Sequence, residues 1–166
     1  MLAEEPGLLN AAWDWAAGDW ETALGGAAHL GNRTNAEYLL EQGARIDAFA
    51  AAMLGYRDVV ATLLKSSPAA ATAKGPHGLT LLYHVAISGD VALAQTLQPI
   101  LKGSDDYNQA LGAAARGGHV EMTRWLLANG VTNPAQRDAL GRTPLQVAQE
   151  NNFAEIAALL HDFPTQ

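Results

Sequence analysis

The chain has 166 residues, of which 49 % are hydrophobic and 16 % are charged, with no cysteine and a formal net charge of −7. The apolar fraction predicts a folded domain rather than a disordered chain, and the lack of cysteine excludes disulfide frameworks, thiolate metal sites and cysteine nucleophiles. Ten Lys and Arg residues against seventeen Asp and Glu residues, with no basic cluster, argue against nucleic acid as a partner.

The apolar stretches and the N-terminal residues indicate the compartment. The apolar stretches are far shorter than the roughly 18 residues of a transmembrane segment, so no membrane span is predicted. The first six residues contain Glu4 and Glu5 and no Lys or Arg, unlike the basic start of a signal peptide. We therefore expect a cytoplasmic monomer, with a secreted or periplasmic location as the alternative if a signal was removed.

The first predicted element is a helix from Leu8 that ends at Gly18 and forms an N-terminal cap over residues 1–18. In this interpretation the tryptophan rings are buried against the apolar end of the next element. The alternative is that the aromatic and acidic side chains of this region bind a cationic or sugar-like ligand, or a basic partner. The residues concerned are Trp13, Asp14, Trp15, Asp19, Trp20 and Glu21.

Two segments in the second half of the chain are copies of one pattern. One runs from Gly118-His119-Val120-Glu121 to Trp125-Leu126-Leu127-Ala128-Asn129-Gly130. The other runs from Gly141-Arg142-Thr143-Pro144-Leu145 to Glu155-Ile156-Ala157-Ala158-Leu159-Leu160. The pattern resembles the ankyrin-repeat family, whose unit of about 33 residues is a β-turn followed by two helices.

The resemblance implies an all-α ankyrin-repeat solenoid of about five helix-turn-helix repeats, preceded by the capping helix, in one domain spanning 1–166. The residues between the two helices of each repeat are Gly31, Gly55, Gly89, Gly118 and Asn152. Small residues in the first helix of each repeat allow neighbouring helices to stack closely. The expected repeats cover about 19–44, 45–73, 74–103, 104–133 and 134–163.

The spacings between those inter-helix residues are 24, 34, 29 and 34 residues. Because the helices keep their length, the shorter spacings predict that the first connection lacks a β-turn finger and that the third, Lys102 to Asn108, is truncated. Full fingers are expected before Thr80 and Thr143, since each of these N-cap residues follows a glycine by two positions.

The family resemblance also implies that the chain binds another protein or peptide in the concave groove, and the acidic charge favours a basic partner. The predicted groove contains an apolar strip that would be unusual on a solvated surface. The alternative is that the missing finger lets the N-terminal helices lean together and bury this strip as core. The candidate groove residues are His29, Leu30, Met53, Leu54, Tyr83, His84, Ile87 and Arg116.

No catalytic or metal site is predicted, and no cofactor is expected. The sequence contains no His-x-x-x-His pair, calcium loop, nucleophile elbow or phosphate loop. His119 occupies a position where the family has a structural histidine. Two alternatives to a protein-binding module stay open: a small-molecule binder or unusual enzyme that uses His29, His84, Asp14 and Tyr83, and an oligomerising element.

Overall fold

The computed structural model describes residues 5–16, 18–101 and 104–164, and these residues form five helix pairs behind a short N-terminal hairpin. This arrangement confirms the predicted mostly helical solenoid of about five repeats. The first helices of the pairs are α1 (Ala23–His29), α3 (Ala48–Leu54), α5 (Leu81–Ser88), α7 (Ser104–Gly117) and α9 (Pro144–Glu150). The second helices are α2 (Arg33–Glu41), α4 (Arg57–Ser66), α6 (Val91–Leu97), α8 (Val120–Asn129) and α10 (Ala154–His161).

The turn inside each helix pair has a left-handed residue at the predicted position. The backbone φ angle is +71° to +73° at Gly31, Gly55, Gly89 and Gly118, and it is +59° at Asn152. Asn tolerates this conformation better than most residues with a side chain. The sequence therefore predicts the residues that reverse the chain in all five repeats.

The first helices of the repeats stack through small side chains, as predicted. Their central residues are fully or almost fully buried, and α3, α5 and α7 pack in succession between α1 and α9. Larger side chains at these positions would push the helices apart, because the packing leaves no free volume. The buried small residues are Ala27, Ala28, Ala51, Ala52, Val85, Ala86, Ala114, Ala115 and Ala148.

Two fingers form where they were predicted. The segment before α5 contains short 3₁₀ turns at Pro68–Ala71 and Pro76–Gly78 and closes through a bridge between Lys74 and Thr80. The segment before α9 closes through a hydrogen bond of 2.9 Å from the Asp138 amide to the Arg142 carbonyl. Thr80 and Thr143 cap the helices that follow, as expected.

The connection between α2 and α3, which lies wholly within the described residues, has no such finger. Between α2 and α3, Gly43 reverses the chain at a φ angle of +92° and Asp47 caps α3 through a bond of 2.8 Å to the Ala50 amide. The connection predicted from Lys102 to Asn108 is shorter than expected, because α7 begins at Ser104 and includes two acidic residues that suit its N-terminal dipole. Lys102 and Gly103 lie outside the described residues.

The predicted N-terminal capping helix is wrong. A 3₁₀ turn at Pro6–Asn10 is followed by strand β1 (Ala12–Asp14), which pairs antiparallel with β2 (Trp20–Thr22). Trp favours strands over helices, and the Gly18 amide donates to the Asp14 carboxylate at 3.2 Å within the turn. Residues 1–4 and 17 of the predicted cap lie outside the described part of the chain.

The tryptophan rings of the hairpin are not buried as the cap interpretation required. Trp13, Trp15 and Trp20 are each exposed by 59 % or more, whereas Glu21 on β2 is buried. The alternation of the β2 strand places Trp20 outward and Glu21 inward. The hairpin thus directs a carboxylate, rather than an aromatic ring, toward the first repeat.

We expect Ala52→Leu to destabilise the protein by about 1–3 kcal/mol, because the extra methyl groups have no space in the stack of inner helices. Ala61→Leu is the matched control, since Ala61 is exposed on α4, and we expect it to change the free energy of unfolding by less than about 0.5 kcal/mol. Urea unfolding measures both changes. Equal effects of the two substitutions would contradict the account of the stack.

Candidate functional site

A groove with a cavity of about 410 Å³ lies between the inner helices and the two fingers. Its helical wall comes from the end of α1 and from α5, α7 and α9, and its opposite wall comes from the two finger segments. The lining residues are His29, Leu30, His77, Leu79, Tyr83, Asn108, Gln109, Gly112, Arg116, Gln136, Arg137, Asp138, Ala139, Arg142, Pro144 and Val147.

The predicted groove residues divide into accessible and buried groups. His29, Leu30, Tyr83 and Arg116 line the cavity, and Leu30 is 69 % exposed. Met53 and Leu54 are only 2 % and 3 % exposed, so the predicted exposed apolar strip is wrong at both positions.

The close approach of repeats one and three explains this burial. Gly31, at the end of the first turn, lies so near Ile87 that a Cβ atom there would be 2.9 Å from the Ile87 Cγ2 atom. Met53 belongs to the core of the N-terminal repeats, with the half-buried Ile87 packed against it. The alternative in which the N-terminal helices lean together and bury the strip is therefore observed for Met53 and Leu54, whereas Leu30 stays exposed.

Tyr83 connects this N-terminal region to α7. Its hydroxyl donates to the His29 carbonyl at 3.2 Å and accepts a hydrogen bond from the Arg116 guanidinium. The Arg116 Cζ atom also lies 5.7 Å from the centre of the Tyr83 ring, within the range of a cation–π contact. The hydroxyl of this third-repeat tyrosine thus links the first repeat to the fourth.

His84 does not face the cavity. It is 2 % exposed, its Nδ1 atom lies 2.8 Å from the Thr80 carbonyl oxygen, and its ring contacts those of Phe49 and Tyr83. Burial lowers the pKa of His84 to about 4, although the hydrogen bond to Thr80 acts in the opposite direction. Asp14, the carboxylate of the small-molecule alternative, lies exposed at the end of β1.

The three arginines that line the groove differ in whether they form ion pairs. Arg142 forms ion pairs with Asp138 at 2.9 Å and Glu150 at 3.0 Å. In the part of the chain that the structure describes, Arg116 and Arg137 have no carboxylate partner, since their recorded acceptors are the Tyr83 hydroxyl and the Gly141 carbonyl. Two guanidinium groups on the groove wall are therefore available to an acidic ligand.

A second cluster lies where the hairpin meets the finger before α5. The Glu21 carboxylate lies 2.6 Å from the His29 Nδ1 atom and 3.5 Å from the His77 Nε2 atom, and it accepts a hydrogen bond of 3.1 Å from the Trp15 indole. Asp19 contacts His77 on the other side. His77 follows the other four residues by at least 48 positions, so no local spacing could have predicted that it joins them.

His119 has the structural role that the sequence suggested. Its Nε2 atom donates to the Ile87 carbonyl at 2.8 Å, and its ring packs beside Gly89 and Gly117. The histidine therefore connects repeats three and four. In the described residues no helix is both long and apolar enough to cross a membrane.

Comparison with known proteins identifies the repeats. The family model for ankyrin repeats, in three copies, matches residues 94–163. The mitochondrial liver isoform of glutaminase is 34 % identical in Mus musculus and 33 % identical in Rattus norvegicus, over 49 % of this chain in each case. The match spans only 14 % of the length of each glutaminase. Residues 94–163 therefore match the ankyrin repeats that the resemblance implied.

The buried His84 generates a prediction for acid stability. Because the pKa of His84 is lowered in the folded protein, the unfolded chain takes up a proton between pH 6.5 and 4 whereas the folded chain does not. The contribution of this group to the free energy of unfolding is therefore complete above pH 6.5 and is lost as the pH falls. At pH 4 this group has lowered the free energy of unfolding by about 3 kcal/mol.

His84→Gln keeps a donor near the Thr80 carbonyl but removes the titration. We expect the difference in free energy of unfolding between wild type and variant, measured by urea titration, to shift by about that amount in favour of the variant between pH 7 and pH 4. A difference that is independent of pH would contradict the neutral buried imidazole.

Proposed function

We propose that this chain is a non-enzymatic interaction module that binds a peptide segment of a partner protein in the groove between its inner helices and fingers. Ankyrin repeats indicate a protein–protein interaction module, and the proposal adds the surface and the chemistry of the ligand. The observation that carries it is the cavity of about 410 Å³, whose walls combine an exposed apolar side chain with guanidinium groups. Ligand sites of 300–1,000 Å³ typically mix apolar surface with a few oriented polar groups.

The accessible part of the groove is smaller than the strip predicted from the sequence. Leu30 supplies apolar surface at one end, and Tyr83 and Arg116 form a hydrogen-bonded polar pair beside it. Arg and Tyr are common energetic anchors in interfaces because they combine large contact areas with polar groups. Met53 and Leu54 lie in the core of the N-terminal repeats and do not line the cavity.

The local charge of the groove favours an acidic segment, in contrast to the basic partner that the net charge suggested. Arg116 and Arg137 both line the cavity, and neither has a carboxylate partner among the described residues. A guanidinium binds a carboxylate through two parallel hydrogen bonds, which fixes the orientation of the ligand. We infer that an Asp, a Glu or a C-terminal carboxylate of the partner occupies this part of the groove.

A small-molecule site or an enzyme is the weaker alternative. Of the four residues in that hypothesis, His29 and Tyr83 line the cavity, whereas His84 is buried and Asp14 lies at the end of β1, and neither lines the cavity. The Tyr83 hydroxyl is engaged by a backbone carbonyl and by Arg116. The four groups therefore do not converge on one reacting atom.

A displayed library of random peptides, selected on the purified chain, tests the proposal. We expect enrichment of peptides with a carboxylate next to an apolar residue. Affinities of the selected peptides are then measured by fluorescence anisotropy for wild type, Leu30→Asp and Arg116→Glu. Each substitution is expected to weaken binding about 30-fold, the equivalent of about 2 kcal/mol for an interface anchor.

Lys65→Glu is the matched control, because Lys65 is exposed near the end of α4, outside the cavity lining, and the charge change equals that of Arg116→Glu. We expect this variant to bind like wild type. If no peptide is enriched, or if Arg116→Glu and Lys65→Glu weaken binding equally, then the groove is not the binding surface.

A further inference from the structure

We propose that Glu21, His29 and His77 form a binding site for a zinc-class divalent cation at the end of the groove. Each of these side chains offers one ligand atom, and the three atoms lie within 4.8 Å of one another. Two imidazole nitrogens and one carboxylate oxygen are a donor set that zinc sites use, with the fourth position left open. The proposal does not depend on the groove binding a peptide.

The distances within the cluster suit closure around an ion. The Glu21 carboxylate lies 2.6 Å from the His29 Nδ1 atom and 3.5 Å from the His77 Nε2 atom. Ligand atoms around a tetrahedral zinc ion lie about 3.3 Å apart, given bonds of roughly 2.0–2.1 Å. The centres of the two histidine rings are 4.9 Å apart in an edge-to-face arrangement, and rotation of these rings is the adjustment that ion binding requires.

Two further side chains hold the ligands in orientation. Asp19 accepts from the His77 backbone amide at 2.8 Å through one carboxylate oxygen, and its other oxygen lies 2.8 Å from the His77 Nδ1 atom. The Nε2 atom of His77 therefore faces Glu21. The Trp15 indole donates to Glu21 at 3.1 Å. A carboxylate behind a ligating histidine and a donor behind a ligating carboxylate are common supports of metal sites.

Burial favours a cation at this position. The Glu21 side chain is only 5 % exposed, and a buried carboxylate is costly unless positive charge or hydrogen bonds compensate for it. The side chains of His29 and His77 are 19 % and 37 % exposed, so an ion can approach between them. Both histidines also line the groove cavity, and the open coordination position can therefore take water or a side chain of a bound partner.

The backbone at His77 has a conformation that residues with a side chain rarely adopt. His77 has a φ angle of +58°, a left-handed conformation that costs energy for a residue with a side chain. The next residue, Gly78, also has a positive φ angle of +68°. This double reversal places the His77 ring against the hairpin, where it contacts Trp15 and His29.

Calorimetric titration of the full chain, purified without an affinity tag, with zinc chloride tests the site. We expect one ion per chain in the wild type. His29→Ala and His77→Ala are each expected to weaken binding by more than about 100-fold, because loss of a ligand exceeds the 10–100-fold effect of losing a supporting group, which we expect for Asp19→Asn. His161→Ala is the matched control, since His161 is exposed near the C-terminus, and it is expected to bind zinc like wild type.

A spectroscopic measurement on the wild type makes the test independent of variant folding. Imidazole NMR signals of His29 and His77 are expected to shift on addition of one equivalent of zinc, while those of His84, His119 and His161 stay in place. Absence of saturable binding, binding that survives the double substitution of His29 and His77, or zinc-induced shifts at the other histidines would each overturn the proposal. In those cases the cluster is a hydrogen-bonded contact between hairpin and finger.

Discussion

The close stacking of the inner helices through buried alanines is the constraint on which the structure depends. Ala28, Ala52 and Ala86 are fully buried at the contacts between successive first helices. Because these side chains are small, the helix backbones approach closely, and every other element of a repeat is positioned by that approach. The stack also aligns the ends of α1, α5, α7 and α9, which together form one wall of the groove.

The short connection between α2 and α3 lets the first repeat contact the third. With Gly43 and Asp47 forming only a tight turn, no finger separates the end of α1 from α5, and Tyr83 of α5 reaches the carbonyl of His29. The hairpin of β1 and β2 contacts the finger of the third repeat through Asp19 and His77. The short connection is thus accompanied by a hairpin that packs against the next finger along the chain.

The sequence predicts the features of this fold that depend on local backbone chemistry. The left-handed positions from Gly31 to Asn152 and the capping residues Thr80 and Thr143 follow from residue type and spacing alone. The burial of Met53 depends on the angle at which α1 leans toward α5, and the hairpin depends on the pairing of two three-residue strands. Tertiary contacts decide both, as they decide the meeting of Glu21 with His77, which follows it by 56 positions.

The central claim is that the third-repeat finger meets the end of α1, beside the N-terminal hairpin, at the end of the groove. The most direct measurement is the nuclear Overhauser effect between the imidazole protons of His29 and His77 in protein labelled only at histidine and free of metal. Ring centres 4.9 Å apart predict a cross-peak between the two residues. A spectrum in which His77 shows no cross-peak to His29, in a protein that retains its helical content, would contradict the claim.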